Sequence, residues 1–294
     1  MPPPSIITPA LLTSLRATPR LPQHCWYYIT GVTLSALNRP DEIPNVLSWT
    51  LENGVGPADK GAPVESEQLK VARRMREGLV KSAAVLGLPK TINALLALKK
   101  STPAHLLDLP PESSSSTTDT AGSNNTNPTN RPHDLLPSTP ASTILHRGTT
   151  LFDNIYGKIS PRVMGQMLHS GTEDLGLVAQ IAYGYILSGG SAILSGPEVS
   201  WVLLAALVPQ DVNPQLKGHL KGAVNLGATA EEVRAVRGLV VKICEEAGMR
   251  VLGGHGDGKE RRKGNYGWWS EVENIPEGWM PPEKSGGGKR ESKL

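Results

Sequence analysis

Apolar residues in this chain recur at three- and four-residue steps, and no alternating run of any length interrupts them. In the stretch from Ser66 to about Leu86, Leu69, Ala72, Met75, Leu79, Ala83 and Leu86 fall in line, because 3.6 residues per turn returns those positions to one face. A half-buried strand needs period two, and nothing here supplies it. The expected fold class is therefore all-α. Trp26–Leu37 and Glu198–Val208 are apolar on nearly every side, the pattern of helices buried whole. Amphipathic helices are expected at 45–53, 90–99, 146–156, 161–168, 173–187, 215–225 and 230–247. In the 173–187 helix the apolar face is Leu175, Val178, Ala182, Tyr185 and Ile186. Gly54, Gly87-Leu88-Pro89 and Gly248 mark helix ends, where a left-handed residue or a proline stops the hydrogen-bond ladder. Arg73, Arg74, Arg76 and Lys81 read as a solvated outer face.

Between these helices the composition changes. From Pro110 to Pro132 nearly every residue is Ser, Thr, Asn or Pro, too little apolar surface to offset the entropy of ordering. The expected organisation is an N-terminal arm (1–24), an N-terminal helical lobe (25–108), a disordered linker (109–142), a second helical domain (143–252) and a flexible tail (253–294). The first 24 residues hold six prolines, which suit an extended arm or cap. They also hold Arg16 and Arg20 and no acidic residue, a faint mitochondrial signature. In the tail, Trp268, Trp269 and Trp279 are expected to pack on the body or a neighbouring subunit, and Gly253–Gly258 reads as a hinge.

Several function classes are excluded or left without support. Thirty Lys and Arg against 27 Asp and Glu give a net charge of +3, no electrostatic argument for nucleic acid. No stretch has the ~18 apolar residues of a membrane span, so no membrane insertion is expected. Cys25 and Cys244 lie far apart with no CxxC partner, and are read as reduced core thiols. The seven histidines show no metal-ligand spacing. No cofactor is expected.

The two halves resemble each other. Trp26–Gly54 lies over Val199–Gly227 at a constant offset of 173. Each has an apolar helix, a break containing Pro and Asp, and a short helix ending in glycine. In that register Glu42 matches Gln215, Ile43 matches Leu216 and Val46 matches His219.

The second half also resembles the carboxymuconolactone decarboxylase/AhpD-like superfamily. The residues that carry the resemblance are His219, Ala223, Gly227-Ala228-Thr229 and Glu231-Glu232-Val233. Upstream, Arg147-Gly148, Tyr156-Gly157, Asp174-Leu175 and Tyr183-Gly184 fall where such domains have similar residues. Gly87-Leu88-Pro89 with Asn93-Ala94 resembles the segment after the family's long helix. The strong match covers about 147–249, and the two-lobed architecture is similar to fungal members. The resemblance implies a helical bundle that assembles as a homo-oligomer and either decarboxylates a muconolactone or runs a CxxC peroxidase cycle. The peroxidase branch needs two thiols just ahead of the histidine; here that stretch, 213–218, has none. The decarboxylase branch has a glutamate four residues before the histidine and an arginine on the preceding helix, whereas this chain has Gln215 and Ser200, with Glu198 nearby.

The candidate site is then His219 as general acid or base, with Gln215 as its helix neighbour and Glu42 supplying a carboxylate from the other lobe. The expected substrate is a small organic acid or a peroxide-related metabolite. The competing expectation is a catalytically silent scaffold or binding protein. Ser292, Lys293 and Leu294 end the sequence in the tripeptide read by the peroxisomal import receptor. The expected location is the peroxisomal matrix, with the mitochondrion as the alternative.

Overall fold

The computed structural model describes residues 5–56, 64–108, 129, 131–212 and 215–249; the tail with its tryptophans, its hinge and its last three residues lies outside them. Among the described residues there are helices and no strand, so the fold is all-α.

Two helices form the centre. Every residue of α2 (Trp26–Ala36) is buried, and α9 (Gly196–Leu207) is buried from Glu198 onward. Both sequences are apolar all round, which only a central position can satisfy. They pack on each other, and α4 (Val64–Ser101) lies against both. So does α11 (Ala230–Glu246), which Thr229 and Glu232 open with a reciprocal capping box. The two expected lobes thus share one core. Trp26 anchors it, edge-on to Tyr27 and to Trp49 of α3 (Ile43–Asn53), with ring centroids 5.9 and 5.5 Å apart.

Burial follows the sequence offset. In α3 the buried residues are Ile43, Val46, Leu47 and Thr50. In α10 (Gln215–Asn225) they include Leu216, His219, Leu220 and Ala223, each 173 positions later. Gly54 and Gly227, also so related, take positive φ of 72° and 104° after their helices. At Gly87 the backbone of α4 leaves helical geometry (φ 75°, ψ 168°). Pro89 sits in the first turn of the second half, where its missing N–H costs nothing. α4 is long enough to cross a membrane, and an 18-residue window of it reaches a mean hydropathy of 1.2. Every such window with at most two charges runs across the Gly87 break.

Four expectations need correction. The N-terminal stretch is no loose arm: α1 (Pro9–Arg16) forms behind the Thr8 cap, and Ile6, Ile7, Leu11, Leu12 and Leu15 enter the core. The six prolines precede the helix, open it at Pro9 or follow it at Pro19 and Pro22, so none breaks it. The insert is shorter than expected, because Arg131 and Asp134 of α5 (Arg131–Asp134) are ion-paired to Glu77 and Arg147. α6 (Ala141–Tyr156) and α7 (Ser160–Leu168) follow. Lys81 is fully buried, and Arg73, Arg74 and Arg76 are paired with Asp108 or Glu198, so this face is not a solvated one.

The fourth concerns 173–187. α8 (Asp174–Ile181) gives way to a π-helical segment, Ala182–Leu187, closed by an i→i+5 bond from Ser188 N to Tyr183 O of 3.0 Å. α8 itself is peripheral: Gly176 is its one buried residue, and Leu177 and Ile181 are exposed as well. Tyr183, Gly184 and Leu187 turn inward, while Leu175 and Val178 stay exposed.

Candidate functional site

Small residues bring the site together. α10 lies so close to α6 that a Cβ on Gly222 would stand 2.6 Å from Ile155 Cγ2 and one on Gly218 3.3 Å from Tyr156 Cε1. Asn225 Nδ2 fastens the pair by donating to Ile155 O at 2.8 Å. Across α6, Gly148 rests on the backbone of Gly184 in the π segment. The two close approaches place Tyr156 between His219 and Tyr183.

Tyr156 Oη lies 3.3 Å from His219 Nε2, and the rings meet edge-on at 5.7 Å. Phe152 packs between Tyr156 and Tyr183 at 4.5 and 5.0 Å. Burial pushes both tyrosine pKa values up, and the hydrogen bond between them acts oppositely on the two, lowering Tyr156 and raising Tyr183 further. Tyr156 Oη and His219 Nε2 share one hydrogen bond, whose direction follows the tautomer of the ring. Nδ1 is buried with no hydrogen-bond partner. His219 is only 6% exposed, and burial alone pulls its pKa down to about 4, so the ring is neutral near pH 7.

The structure does not bring the three candidate residues together. Gln215 is exposed at the start of α10, and His219 Nδ1 receives nothing from it. Glu42 serves the N-terminal segment: its carboxylate accepts from Ile6 N (2.7 Å), Ser5 Oγ (3.1 Å), Arg39 (2.9 Å) and Asn45 (3.0 Å). Among the described residues no carboxylate pairs with His219, in keeping with burial as the one cause of its shift. Sequence reasoning had singled out Tyr156 and Tyr183 without joining them to His219. The available signal was the pair Gly218 and Gly222, four apart on the α10 face that α6 covers.

A second cluster escaped the sequence entirely. The C-terminal carbonyls of the π segment point at three cations, which satisfy orphan acceptors and the negative helix end together. Arg147 donates to Gly184 O, Arg131 to Tyr185 O and Ile186 O, and Lys81 to Leu187 O and Gly189 O. Glu77 binds Arg131 through two hydrogen bonds of 2.7 and 2.8 Å and lies 3.3 Å from Lys81. Burial pulls the Lys81 pKa down to about 8.

A third cluster clasps the start of α9, where Glu198 takes Arg74, Tyr28, His24 and the Ser195 cap. Burial works to raise its pKa. Hydrogen bonds from His24 and Ser195 and the charge of Arg74 outweigh that and hold it at about 2. Cys25 and Cys244 are free and buried; burial raises both thiols, Cys244 to about 12, so neither is a thiolate near neutral pH. Among the described residues no group of three His, Cys, Asp or Glu could hold a metal.

No protein-family model and no solved structure matches the chain. Two curated proteins do. A Schizosaccharomyces pombe protein named Peroxisomal protein 2 is 34% identical over 227 residues, covering 77% of this chain and 89% of the relative. A Saccharomyces cerevisiae protein of the same name is 31% identical over 263 residues, covering 77% of this chain and 90% of the relative.

Proposed function

Because the chain belongs to the Peroxisomal protein 2 family and is a peroxisomal protein, we propose that it works in the organelle's matrix as an AhpD-like helical protein acting on a small organic acid or related metabolite through His219. One observation carries this reading: a buried Nδ1 with no hydrogen-bond partner among the described residues, which we take as the protonated ring nitrogen. An unpaired buried donor costs about 1–3 kcal/mol, and a ligand carbonyl or carboxylate oxygen would relieve it. With a pKa near 4 the imidazole is a poor proton-abstracting base at neutral pH. Its role is that of a neutral donor, polarising a carbonyl or holding an oxyanion, with Tyr156 at its Nε2. The dithiol cycle and the carboxylate-assisted decarboxylation of the carboxymuconolactone decarboxylase/AhpD-like superfamily both lack their residues here.

A second reading, a matrix binding protein without turnover, is favoured by the engagement of Glu42 in the N-terminal segment and the exposure of Gln215. One experiment separates them. In a strain lacking the gene, wild-type protein should restore the peroxisomal metabolite profile, while His219→Phe, of similar shape, should not. Equal restoration by both would sink the His219 chemistry and leave the binding reading. The same strains test import: with Leu294 as the terminal residue, a tagged protein lacking it should be cytosolic. An unchanged punctate pattern would remove Ser292-Lys293-Leu294 as the signal.

A further inference from the structure

The kink at Gly87 does more than end a helix. The two halves of α4, the turn at 104–108 and α5 together line a half-open cavity of about 590 Å³. His219 does not line it. Its interior is almost wholly aliphatic, with Val80, Leu95, Leu98, Leu107, Leu135 and Ile193 as the main surfaces.

The frame is ionic. Arg73 and Arg76 both reach Asp108, at 2.8 and 2.7 Å, and tie the first half of α4 to the 104–108 turn. Arg131 reaches Glu77 at 2.7 Å and ties α5 to the same helix. These charge-assisted contacts hold the walls apart without a ligand, as a preformed small-molecule site requires. The volume lies within the ~300–1,000 Å³ usual for such sites.

The charges at the frame do not balance. Four cations, Arg73, Arg76, Lys99 and Arg131, face two carboxylates, Glu77 and Asp108, leaving a net +2. The arginines are committed to those carboxylates, whereas Lys99 is exposed and has no ion pair among the described residues. Beside it an apolar track stays in water: Leu88, Ile92 and Leu96, four residues apart on α4, are 66%, 51% and 61% exposed. An aliphatic interior, an apolar approach and a spare cation at the mouth describe one kind of occupant.

We propose that this cavity binds a single-chain amphiphile with an anionic head, an alkyl carboxylate, its chain among the leucines and its head on Lys99. The low-complexity insert is a poor competitor, since between 109 and 128 its sole large aliphatic residue is Leu109. A cationic amphiphile meets the wrong charge, and a half-open cavity of this volume suits one alkyl chain better than a bilayer. This site and its ligand stand apart from the His219 reading, and either can fail alone.

The test is calorimetric titration of the full chain with monomeric dodecanoate, below its micelle concentration, with dodecyltrimethylammonium, and with anionic phospholipid vesicles. Dodecanoate should bind one to one and dodecyltrimethylammonium about tenfold more weakly or not at all. Lys99→Glu should weaken dodecanoate about tenfold, and Leu96→Asp should weaken both alkyl probes. Both substitutions fall at exposed positions, so unchanged melting curves should accompany the loss. Equal affinity for the two head groups, no effect of Lys99→Glu, no binding of dodecanoate, or binding to vesicles alone would each overturn the proposal.

Discussion

Replacing Lys81 by alanine should cost the fold about 3–5 kcal/mol, the loss typical of removing one partner from a buried charge network. The ammonium group is fully buried, donates to Leu187 O and Gly189 O, and lies 3.3 Å from Glu77 Oε1. Without it Leu187 O loses this donor, at about 1–3 kcal/mol for an unsatisfied buried group, and Gly189 O keeps only the 3.4 Å bond from Arg131. Arg131 keeps Glu77 paired, which bounds the damage. Lys81→Met should lose less than alanine, because it fills the space and lacks only the charge. The pH dependence gives an independent check. Because burial holds the folded-state pKa near 8 against 10.5 unfolded, the unfolded chain binds more protons between those values. Wild-type stability should therefore rise relative to Lys81→Met as pH goes from 8 to 10.5, by about 3 kcal/mol in all. Urea denaturation reads both effects. A loss under about 1 kcal/mol for the alanine variant would place Lys81 on the solvated face that its sequence position suggests.

Gly148→Ala should lower the stability by about 3 kcal/mol, the upper part of the range for overpacked cores. The added methyl would stand 2.4 Å from Gly184 N, 2.6 Å from Gly184 Cα and 2.8 Å from Tyr183 C. All three are backbone atoms, so no side chain can swing aside. α6 and the π segment must separate, stretching the 3.0 Å bond from Arg147 to Gly184 O and the Tyr183–Tyr156 contact behind His219. At ~2–4 °C per kcal/mol for a chain of this size, the midpoint should fall by about 6–12 °C. A midpoint within about 2 °C of wild type would mean that the two segments are not held at this distance.

Much of the fold could be read from residue spacing. The all-α class, the two helices buried whole, and the stops at Gly54, Gly87 and Gly248 follow from periodicity and backbone chemistry that act within a few residues. What escaped was decided at longer range. Lys81 occupies a position facing away from its helix's apolar stripe, and only carbonyls some 106 and 108 residues later make it buried. Arg131 closes a low-complexity stretch and resembles linker until Glu77 is seen to hold it. α8 lies at the periphery with only Gly176 buried, so Leu175 and Val178, placed inward by the α-helical count, are exposed together with Leu177 and Ile181.

The candidate site divides in the same way. His219 was found from the motif around it, and Tyr156 and Tyr183 stood in the same motif. Their meeting depends on how closely three helices approach, which glycines permit but do not announce. Glu42 occupies the place the internal offset assigns to it, beside α3, yet its carboxylate is taken by the N-terminal segment that sequence reasoning had left as an arm.

The neutral imidazole of His219, its Nδ1 without a partner among the described residues, is the point on which the functional reading rests, and nitrogen-resolved NMR of the histidine rings across pH 3.5–8 measures it directly. With the native fold kept at low pH by a stabilising osmolyte, His219 should remain neutral and Nδ1-protonated down to pH 5, with a midpoint near 4. Because the folded pKa lies below the unfolded ~6.5, protonation should also remove stability progressively as pH falls below 6.5. A His219 midpoint at or above 6.5, or an Nε2-protonated ring, would contradict the neutral-donor role and restore a carboxylate-assisted base.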